Sequence, residues 1–292
     1  MVKEIKSNSF SRILRILYEG KNRIPRNKMI YYIVSSSLIF LMRRNLKRPP
    51  AEIDNIILDM DRTLLTTNIG KEALILCYGK EKADYIEHSI MRRVANGILS
   101  LGEAMLMAIN HLVDGKFSLK EHDELMDRCV KGEIIRHNLL NSILNLQKKG
   151  KRIILATMSS YDAANYIAGK YGFFGSIGTV ETYNDDGKMT GCTQVICDEN
   201  KDVNGVKFRT KTYILKEMFE RNKLVFEPQR TAIITDDLTD LHIMREVALA
   251  IFLKVKEPTK IQKLCYRLKL FDQAIHEDED LEKIILVKSG KQ

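Results

Sequence analysis

The sequence predicts an α/β fold with a central parallel sheet and an inserted helical domain. Short apolar runs that end in Asp or Thr alternate with helical segments, which is typical of strands joined by crossover helices. A block of helical pattern from about residue 69 to residue 133 separates the first strand from the others. The chain has 292 residues and is 45% hydrophobic, so it is long enough to bury a full core.

The helical block is predicted to hold four helices separated by glycines. Gly79, Gly97 and Gly115 stand between the helical stretches and favour breaks in the chain. Further along, Asn184-Asp185-Asp186-Gly187 predicts the turn of a β-hairpin. The predicted elements are helices at 69–76, 81–95, 101–112 and 119–129, a helix at 138–149, a strand at 151–157, a helix at 161–171, a strand at 177–180, hairpin strands at 180–183 and 189–193, a helix at 211–221 and a strand at 231–235.

The first strand, Ile56-Ile57-Leu58, ends in two carboxylates, Asp59 and Asp61. In an open α/β sheet, ligands bind in the crevice beyond the carboxyl ends of the strands, so Asp59 is expected at the mouth of a site. A strand followed by an Asp-rich turn is the alternative interpretation, because Asp and Thr also favour turns and helix caps.

Three further segments favour the site. A second apolar run ends in Thr157, Lys211 opens a helical segment, and a third run is followed by Asp236 and Asp240. In this order, over roughly residues 55–253, the four motifs resemble those of the haloacid dehalogenase superfamily of phosphoryl-transfer enzymes, in its phosphoserine-phosphatase-like branch. Singly, each residue also fits an ordinary turn, cap or solvated position.

The resemblance implies a Rossmann-like three-layer sandwich that carries an inserted helical cap. The catalytic core would comprise residues 51–68 and 134–273, and the cap would comprise residues 69–133. Residues 1–50 would form a basic, partly apolar N-terminal extension, and residues 274–292 a C-terminal tail. In this family the cap closes over the substrate, excludes water and confers specificity.

The resemblance also implies a catalytic role for each motif. Asp59 would be the nucleophile and would form an aspartyl-phosphate. Asp61 would protonate the leaving oxygen and later activate the hydrolytic water. Thr157 and Lys211 would bind the phosphoryl oxygens. Arg62 would reach either the phosphate, as a further substrate-binding group, or the solvent.

The expected cofactor is Mg²⁺. A carboxylate can attack a phosphate dianion only if a divalent cation offsets the repulsion between the two. Mg²⁺ prefers oxygen ligands and keeps several waters. The resemblance assigns the metal site to Asp59, the main-chain carbonyl of Asp61, and Asp236, with Asp240 orienting the metal shell.

The departures from the family pattern concern the substrate. Phosphoserine phosphatases carry a glutamate at cap entry, where this chain has Asn68, and a cap arginine at the position of Ala108. An amino acid substrate would lose both charged partners, so phosphoserine is disfavoured. Glycines common in the first and fourth motifs are replaced by Arg62 and Thr235. Three cap methionines either line an adaptable apolar pocket or belong to the core: Met91, Met105 and Met107.

We therefore expect a Mg²⁺-dependent phosphomonoesterase that acts on a small or lipid-linked phosphate ester. Two alternatives stay open. A phosphotransferase would pass the phosphoryl group to an acceptor alcohol, and a non-catalytic protein would keep the fold to bind a phospho-ligand or a partner.

The five cysteines do not indicate a zinc site or a disulfide scaffold. No Cys-x-x-Cys pair and no histidines at metal-ligand spacing occur. A reducing compartment is the simplest interpretation, and the protein is expected to be cytoplasmic. The cysteines are Cys77, Cys129, Cys192, Cys197 and Cys265.

The first fifty residues carry almost all of the net positive charge. They hold twelve Lys and Arg against two Glu, a balance of +10, whereas the remainder has a balance of −1. The apolar stretch at 29–42 would form a helix of about 21 Å, short of the roughly 30 Å hydrocarbon core. Attachment to the anionic inner face of a membrane is the preferred interpretation, and a helical extension packed on the core is the alternative. Nucleic acid is disfavoured because no recognisable binding module accompanies the charge, and the pattern does not fit a cleaved signal peptide.

Overall fold

The computed structural model describes residues 52–132, 134–255, 258, 262–263, 266, 271–276, 279 and 281–288. The predicted N-terminal extension, residues 1–50, lies outside them. The strands are β1 (Asn55–Asp59), β2 (Arg152–Ser160), β3 (Gly175–Tyr183), β4 (Met189–Cys197), β5 (Lys201–Val203), β6 (Val206–Thr210), β7 (Thr231–Thr235), β8 (Leu249–Leu253) and β9 (Gln273–Ile275). The helices are α1 (Ile69–Tyr78), α2 (Lys80–Ala95), α3 (Leu101–Asp114), α4 (Leu119–Val130), α5 (His137–Lys148), α6 (Tyr161–Tyr171), α7 (Lys211–Arg221), α8 (Leu241–Met244) and α9 (Leu281–Lys288).

The strands form one sheet in the order β5-β6-β4-β3-β2-β1-β7-β8-β9. In the part of the sheet with the order β3-β2-β1-β7-β8-β9, every neighbouring pair of strands is parallel, and β1 lies between β2 and β7. The predicted hairpin makes β4 antiparallel to β3, and β5 is antiparallel to β6. The predicted α/β fold is therefore confirmed, with a parallel centre and a mixed edge.

Apolar residues of the central strands point alternately to two cores. Ile56 and Leu58 of β1 belong to one buried cluster, whereas Ile57 between them belongs to the other. The first cluster includes Ile143 of α5, and the second includes Leu215 of α7. Because successive strand residues face opposite sides of a sheet, both faces are covered and the result is a three-layer sandwich.

The helices α1–α4 fill the interval between β1 and α5, as the helical pattern predicts. The chain leaves and re-enters the core at one point, where Leu65 and Ile135 form an antiparallel bridge. Within this insert, α3 begins at Ser100, whose hydroxyl accepts from the Glu103 amide at 3.2 Å while the Glu103 carboxylate accepts from the Ser100 amide at 2.7 Å. Such a capping box satisfies amides that would otherwise lack partners at the start of a helix.

The C-terminal segment predicted as a tail is partly integrated into the core. Strand β9 crosses the expected boundary at residue 274 and pairs in parallel with β8. Helix α9 buries Leu281 and Ile285 in the same cluster as α5. The prediction missed this because β8, which supplies the edge for β9, was not predicted as a strand.

None of the helices among the described residues combines the length and the apolarity needed to cross a membrane.

The packing of α6 on β3 depends on a glycine. A Cβ placed on Gly178 would lie 2.6 Å from the Cα and the backbone nitrogen of Tyr161, the first residue of α6. A Cβ placed on Gly169, within α6, would have no neighbouring atom within 4 Å. These two glycines therefore offer a matched pair of substitutions.

We expect Gly178→Ala to lower the free energy of unfolding by about 2 kcal/mol or more, because backbone must move to relieve the overlap. Gly169→Ala is expected to stabilise the protein by roughly 0.5–1 kcal/mol through helix propensity. Urea unfolding followed by far-ultraviolet circular dichroism measures both, since the chain has no tryptophan. Equal stability of the two variants would contradict this account of the α6–β3 contact.

Candidate active site

The carboxyl ends of three neighbouring strands place the motif residues at one edge of the sheet. Asp59 ends β1, Thr157 lies within β2, and Asp236 follows β7 directly. The register pairs Asp59 with Ala156, the residue before Thr157. Lys211, the first residue of α7, brings its ammonium group to the same point. The structure therefore brings together the four segments that the sequence singled out.

Lys211 joins two buried carboxylates. Its Nζ lies 2.9 Å from Asp59 Oδ1 and 2.7 Å from Asp240 Oδ1, and it donates to the Ala156 carbonyl at 3.1 Å. Only 1% of Lys211 is exposed. Burial alone would lower the pKa of Lys211, but Asp240 and Asp59 outweigh it and raise this pKa above its usual value. The lysine therefore remains charged.

Asp59 is a buried carboxylate at the centre of the site. Burial raises the pKa of Asp59 above its usual range, Lys211 opposes this, and Asp240, Asp236 and Asp61 reinforce it. A hydroxyl from the following loop donates to its second oxygen, since Thr63 Oγ1 lies 3.0 Å from Asp59 Oδ2. The site is therefore rich in negative charge.

Thr63 links the first and fourth motifs, a role that the sequence reasoning did not assign. Its hydroxyl lies 2.9 Å from Asp236 Oδ1 and accepts from the Asp236 amide at 3.0 Å. A hydroxyl has a single proton, so it serves one of the two carboxylates at a time. The signal was present in the sequence as a hydroxyl four residues after Asp59, but spacing alone does not reveal its partner.

Asp236 is held by a second residue that the sequence did not reveal. Gln262 Nε2 donates at 2.9 Å to both the Asp236 carbonyl and Asp236 Oδ2. Burial first, and the neighbouring Asp237 second, raise the pKa of Asp236 to about 7. No local sequence signal would have identified Gln262, because it lies 26 positions further along the chain.

Asp61 accepts hydrogen bonds from two donors. Ile69 N donates to Asp61 Oδ1 at 2.7 Å, and Thr157 Oγ1 donates to Asp61 Oδ2 at 2.7 Å. Thr157 in turn accepts from Ser159 N at 2.9 Å. While the hydroxyl proton of Thr157 is used by Asp61, it is not available to a phosphoryl oxygen, so the predicted role of Thr157 in binding phosphate requires this bond to change.

Arg62 occupies a strained backbone position in the turn after β1. Its φ is 59°, in the left-handed region that glycine adopts at least cost. This explains why the related enzymes commonly have glycine there. The Arg62 side chain is 42% exposed and pairs with Glu87 of α2 at 3.4 Å. The side chain of Arg62 therefore contacts the cap. From the sequence, only phosphate or solvent is expected around this side chain.

The acidic cluster suits a hard divalent cation. Asp59 and Asp236 share the Thr63 hydroxyl, so their carboxylates face one another across a single oxygen atom. Among the described residues no three or more Asp, Glu, His or Cys side chains form a complete set of metal ligands. Mg²⁺ does not need such a set, because it completes its shell with water and main-chain carbonyls. Asp240 Oδ1 pairs with Lys211, whereas Asp240 Oδ2 is buried and accepts no hydrogen bond from the described residues, so the role expected of Asp240 beside a metal stays a prediction.

A cavity of about 430 Å³ opens above these carboxylates and is bordered by the cap helices. Asn68 and Ala108, at the positions where the family carries charged residues, both line it. The Asn68 side chain caps α1 by accepting from the Lys71 amide at 2.9 Å. Met91 and Met105 line the cavity, which favours the pocket alternative for these two, whereas Met107 is not among the lining residues and contacts Arg93.

The ion pairs of Lys211 predict a measurable contribution to stability. Lys211→Met would leave Asp59 and Asp240 buried without their counter-charge, so we expect the free energy of unfolding to fall by about 3–5 kcal/mol. Adding Asp240→Asn to that variant should recover part of the loss. Lys216→Met, on the exposed face of the same helix, is the matched control and should change stability by less than about 0.5 kcal/mol. A similar effect of both lysine substitutions in urea unfolding would contradict the assignment.

The comparisons with known proteins agree with this geometry. The family model of haloacid dehalogenase-like hydrolases matches residues 56–245, which is more than half of the chain. No curated protein matches the chain in sequence. A solved phosphoserine phosphohydrolase-like protein from Francisella tularensis has a TM-score of 0.59 at 16% identity, and the alignment covers 80% of this chain and 100% of that one.

Two further structures share the fold. A phosphoserine phosphatase solved as a phospho-aspartyl intermediate analogue has a TM-score of 0.56 at 18% identity, covering 81% of this chain and 99% of that chain. A family hydrolase from Salmonella enterica serovar Typhi has a TM-score of 0.57 at 15% identity, covering 85% of this chain and 78% of that chain. The resemblance drawn from the four motifs is thus confirmed, and the chain belongs to the haloacid dehalogenase-like hydrolase family.

Proposed function

We propose that this protein is a Mg²⁺-dependent phosphomonoesterase that works through an aspartyl-phosphate intermediate. The observation that carries the proposal is the environment of Asp59. This carboxylate is fixed by Lys211 and Thr63, and it lines a cavity that Asp61 and Asp236 also line. A fixed carboxylate beside a second carboxylate is what covalent phosphoryl transfer needs.

Asp59 attacks phosphorus, and the bond between phosphorus and the leaving oxygen breaks. Asp61 donates a proton to that oxygen and later removes one from the water that hydrolyses the intermediate. Its hydrogen bonds to the Ile69 amide and to Thr157 fix the orientation of its carboxyl group. Lys211, charged and buried beside Asp59, attracts the phosphoryl oxygens.

The metal ligands would be Asp59, Asp236 and the main-chain carbonyl of Asp61. When bound, Mg²⁺ supplies the positive charge that offsets the repulsion between a carboxylate and a phosphate dianion. Thr63 and Gln262 would orient the two carboxylates for this purpose.

A panel of phosphate esters, tested with and without Mg²⁺ and with added acceptor alcohols, tests the proposal and its alternatives. A hydrolase releases inorganic phosphate. A phosphotransferase instead forms a new ester with the alcohol, and a non-catalytic binding protein does neither.

The nucleophile assignment makes the sharpest prediction. We expect Asp59→Asn to lower kcat on p-nitrophenyl phosphate by at least about 10³-fold, because the amide has the same shape but cannot attack phosphorus. Asp54→Asn makes the same chemical change just before β1, where Asp54 pairs with Arg230, and should retain activity. Circular dichroism checks that both variants fold. Near-normal turnover of Asp59→Asn would overturn the mechanism.

The lining of the cap predicts the substrate preference. Asn68 is occupied in capping α1 and Ala108 carries no charge, so the ammonium and carboxylate of phosphoserine have no partners at these positions. We expect kcat/KM for phosphoserine to be at least about 30-fold below that for a phosphate ester without the amino acid group. Efficient hydrolysis of phosphoserine would show that other residues recognise it.

The basic N-terminal segment supports a proposed peripheral association with anionic membranes. Its charge balance of +10 favours anionic lipid, at about 1 kcal/mol for each basic residue near the surface. We expect deletion of residues 1–47 to abolish co-sedimentation with anionic vesicles while hydrolysis of p-nitrophenyl phosphate continues. Binding of the full chain should weaken as salt is raised. If the full chain never sediments with the vesicles, the alternative of an extension packed on the core is favoured.

A further inference from the structure

The cavity contains a polar region that the proposed reaction does not use. Glu181 of β3 lines it together with Ser160, Thr179 and Tyr183, all outside the four motifs. Ser160 Oγ donates to Glu181 Oε2 at 3.2 Å. Glu181 thus presents a carboxyl group within the same cavity as Asp59 and Asp61.

The polar region lies a short distance from the reacting carboxylates. Ser160, the hydrogen-bond partner of Glu181, follows Thr157 by three residues along β2, and Thr157 contacts Asp61. Strand β2 bulges here, because its four-residue step from Ala156 to Ser160 lies opposite a two-residue step of β3, so the separation is on the order of 7 Å. A chain of several carbon atoms spans such a distance, whereas the ammonium group of phosphoserine lies much closer to its phosphate.

The surroundings of Glu181 are acidic. Burial, followed by the nearby Asp162, raises the pKa of Glu181 to about 8, although backbone and Ser160 hydrogen bonds oppose this. After burial, the groups that raise the pKa of Tyr183 on the same strand are also acids, namely Glu181, Asp162 and Asp123. In the described part of the chain, no basic side chain is among the groups that shift either residue.

The lysine and the arginine that line the cavity are engaged on the cap side. Lys71 of α1 pairs with Glu87 at 2.8 Å and with Asp84 at 2.6 Å, and Arg62 pairs with the same Glu87. The rest of the lining is mostly apolar and is supplied by the cap and β4, for example Leu74, Ile90, Met105, Leu112, Phe117 and Met189. An apolar cavity with an acidic end matches a ligand with an apolar body and a cationic group.

We propose that Glu181 recognises a protonated amine at the far end of the substrate, so that the substrate class is an aminoalkyl phosphate monoester. That the substrate carries a phosphate at one end rests on the proposed function. That it carries an amine at the other end rests on the position of Glu181 in the cavity and on the acidic groups around it. The nucleophile and the amine-binding carboxyl would then bind opposite ends of one molecule.

Binding of two phosphonates tests the proposal without requiring turnover. Aminopentyl phosphonate and pentyl phosphonate differ only in the terminal amine, and isothermal titration with Mg²⁺ measures the Kd of each for the full chain. We expect the amine to bind at least about tenfold more tightly, and Glu181→Gln to reduce this preference to about threefold or less. Glu220→Gln, an exposed glutamate of α7, is the matched control and should keep the full preference.

Glu181→Asp provides a second variant, because it keeps the carboxyl group but withdraws it by one methylene. We expect an intermediate preference, and this variant decides the question if Glu181→Gln does not fold. The proposal is overturned if the wild type does not prefer the amine, if it binds neither phosphonate, or if both Glu181 variants keep the full preference of the wild type. Hydrolysis of p-nitrophenyl phosphate is measured in parallel. An amine preference that depends on Glu181 without any hydrolysis would refute the phosphatase proposal and keep the amine site.

Discussion

The buried ion pairs of Lys211 are the interaction on which the site depends. Two carboxylates, Asp59 and Asp240, are each almost fully buried, and neither could be charged there without a nearby cation. Lys211 supplies that charge from the first turn of α7 and also bonds the carbonyl of Ala156 on β2. It therefore joins β1, β2, α7 and the segment after β7 at one point. Such a pair contributes less to net stability than its geometry suggests, because desolvation offsets most of the attraction, but it fixes where each carboxylate lies.

The central position of β1 determines which residues can meet. Because β2 and β7 flank β1 in parallel, the carboxyl ends of all three open onto the same edge of the sheet. The tight turn after Asp59 then directs Asp61 towards β2 and Thr63 towards Asp236. This turn places Arg62 in the left-handed region, at a cost of about 1–2 kcal/mol for a residue with a side chain. The pairing of Arg62 with Glu87 links the strained position to the cap.

The motif residues and most of the cavity wall come from different parts of the fold. The strand ends hold the reacting groups, whereas the cap helices and the β3–β4 hairpin surround the rest of the cavity. Asn68 lines the cavity with an uncharged side chain that also caps α1. Glu181 adds a carboxyl group to the lining from β3, a strand of the core. A change of substrate within one family can therefore come from the cavity wall while the motif residues remain the same.

The sequence by itself determined the fold class, most helices and the four motifs, because these depend on patterns within a few residues. The spacing of apolar residues revealed the strands that carry Asp59 and Thr157 and the strand that precedes Asp236, although β2 continues to Ser160, three residues beyond its predicted end, and glycines marked the limits of the cap helices. Other features depended on chain segments that meet only in the folded state. Thr63 reaches Asp236 across 173 positions, and Gln262 and Glu181 belong to no motif. Strand β9 could not be predicted, because three residues form a strand only when an edge such as β8 is already present. Local sequence thus determined which elements and reacting groups exist, whereas only the tertiary structure decided their partners, since hydrogen bonds and ion pairs depend on distances that long-range packing sets.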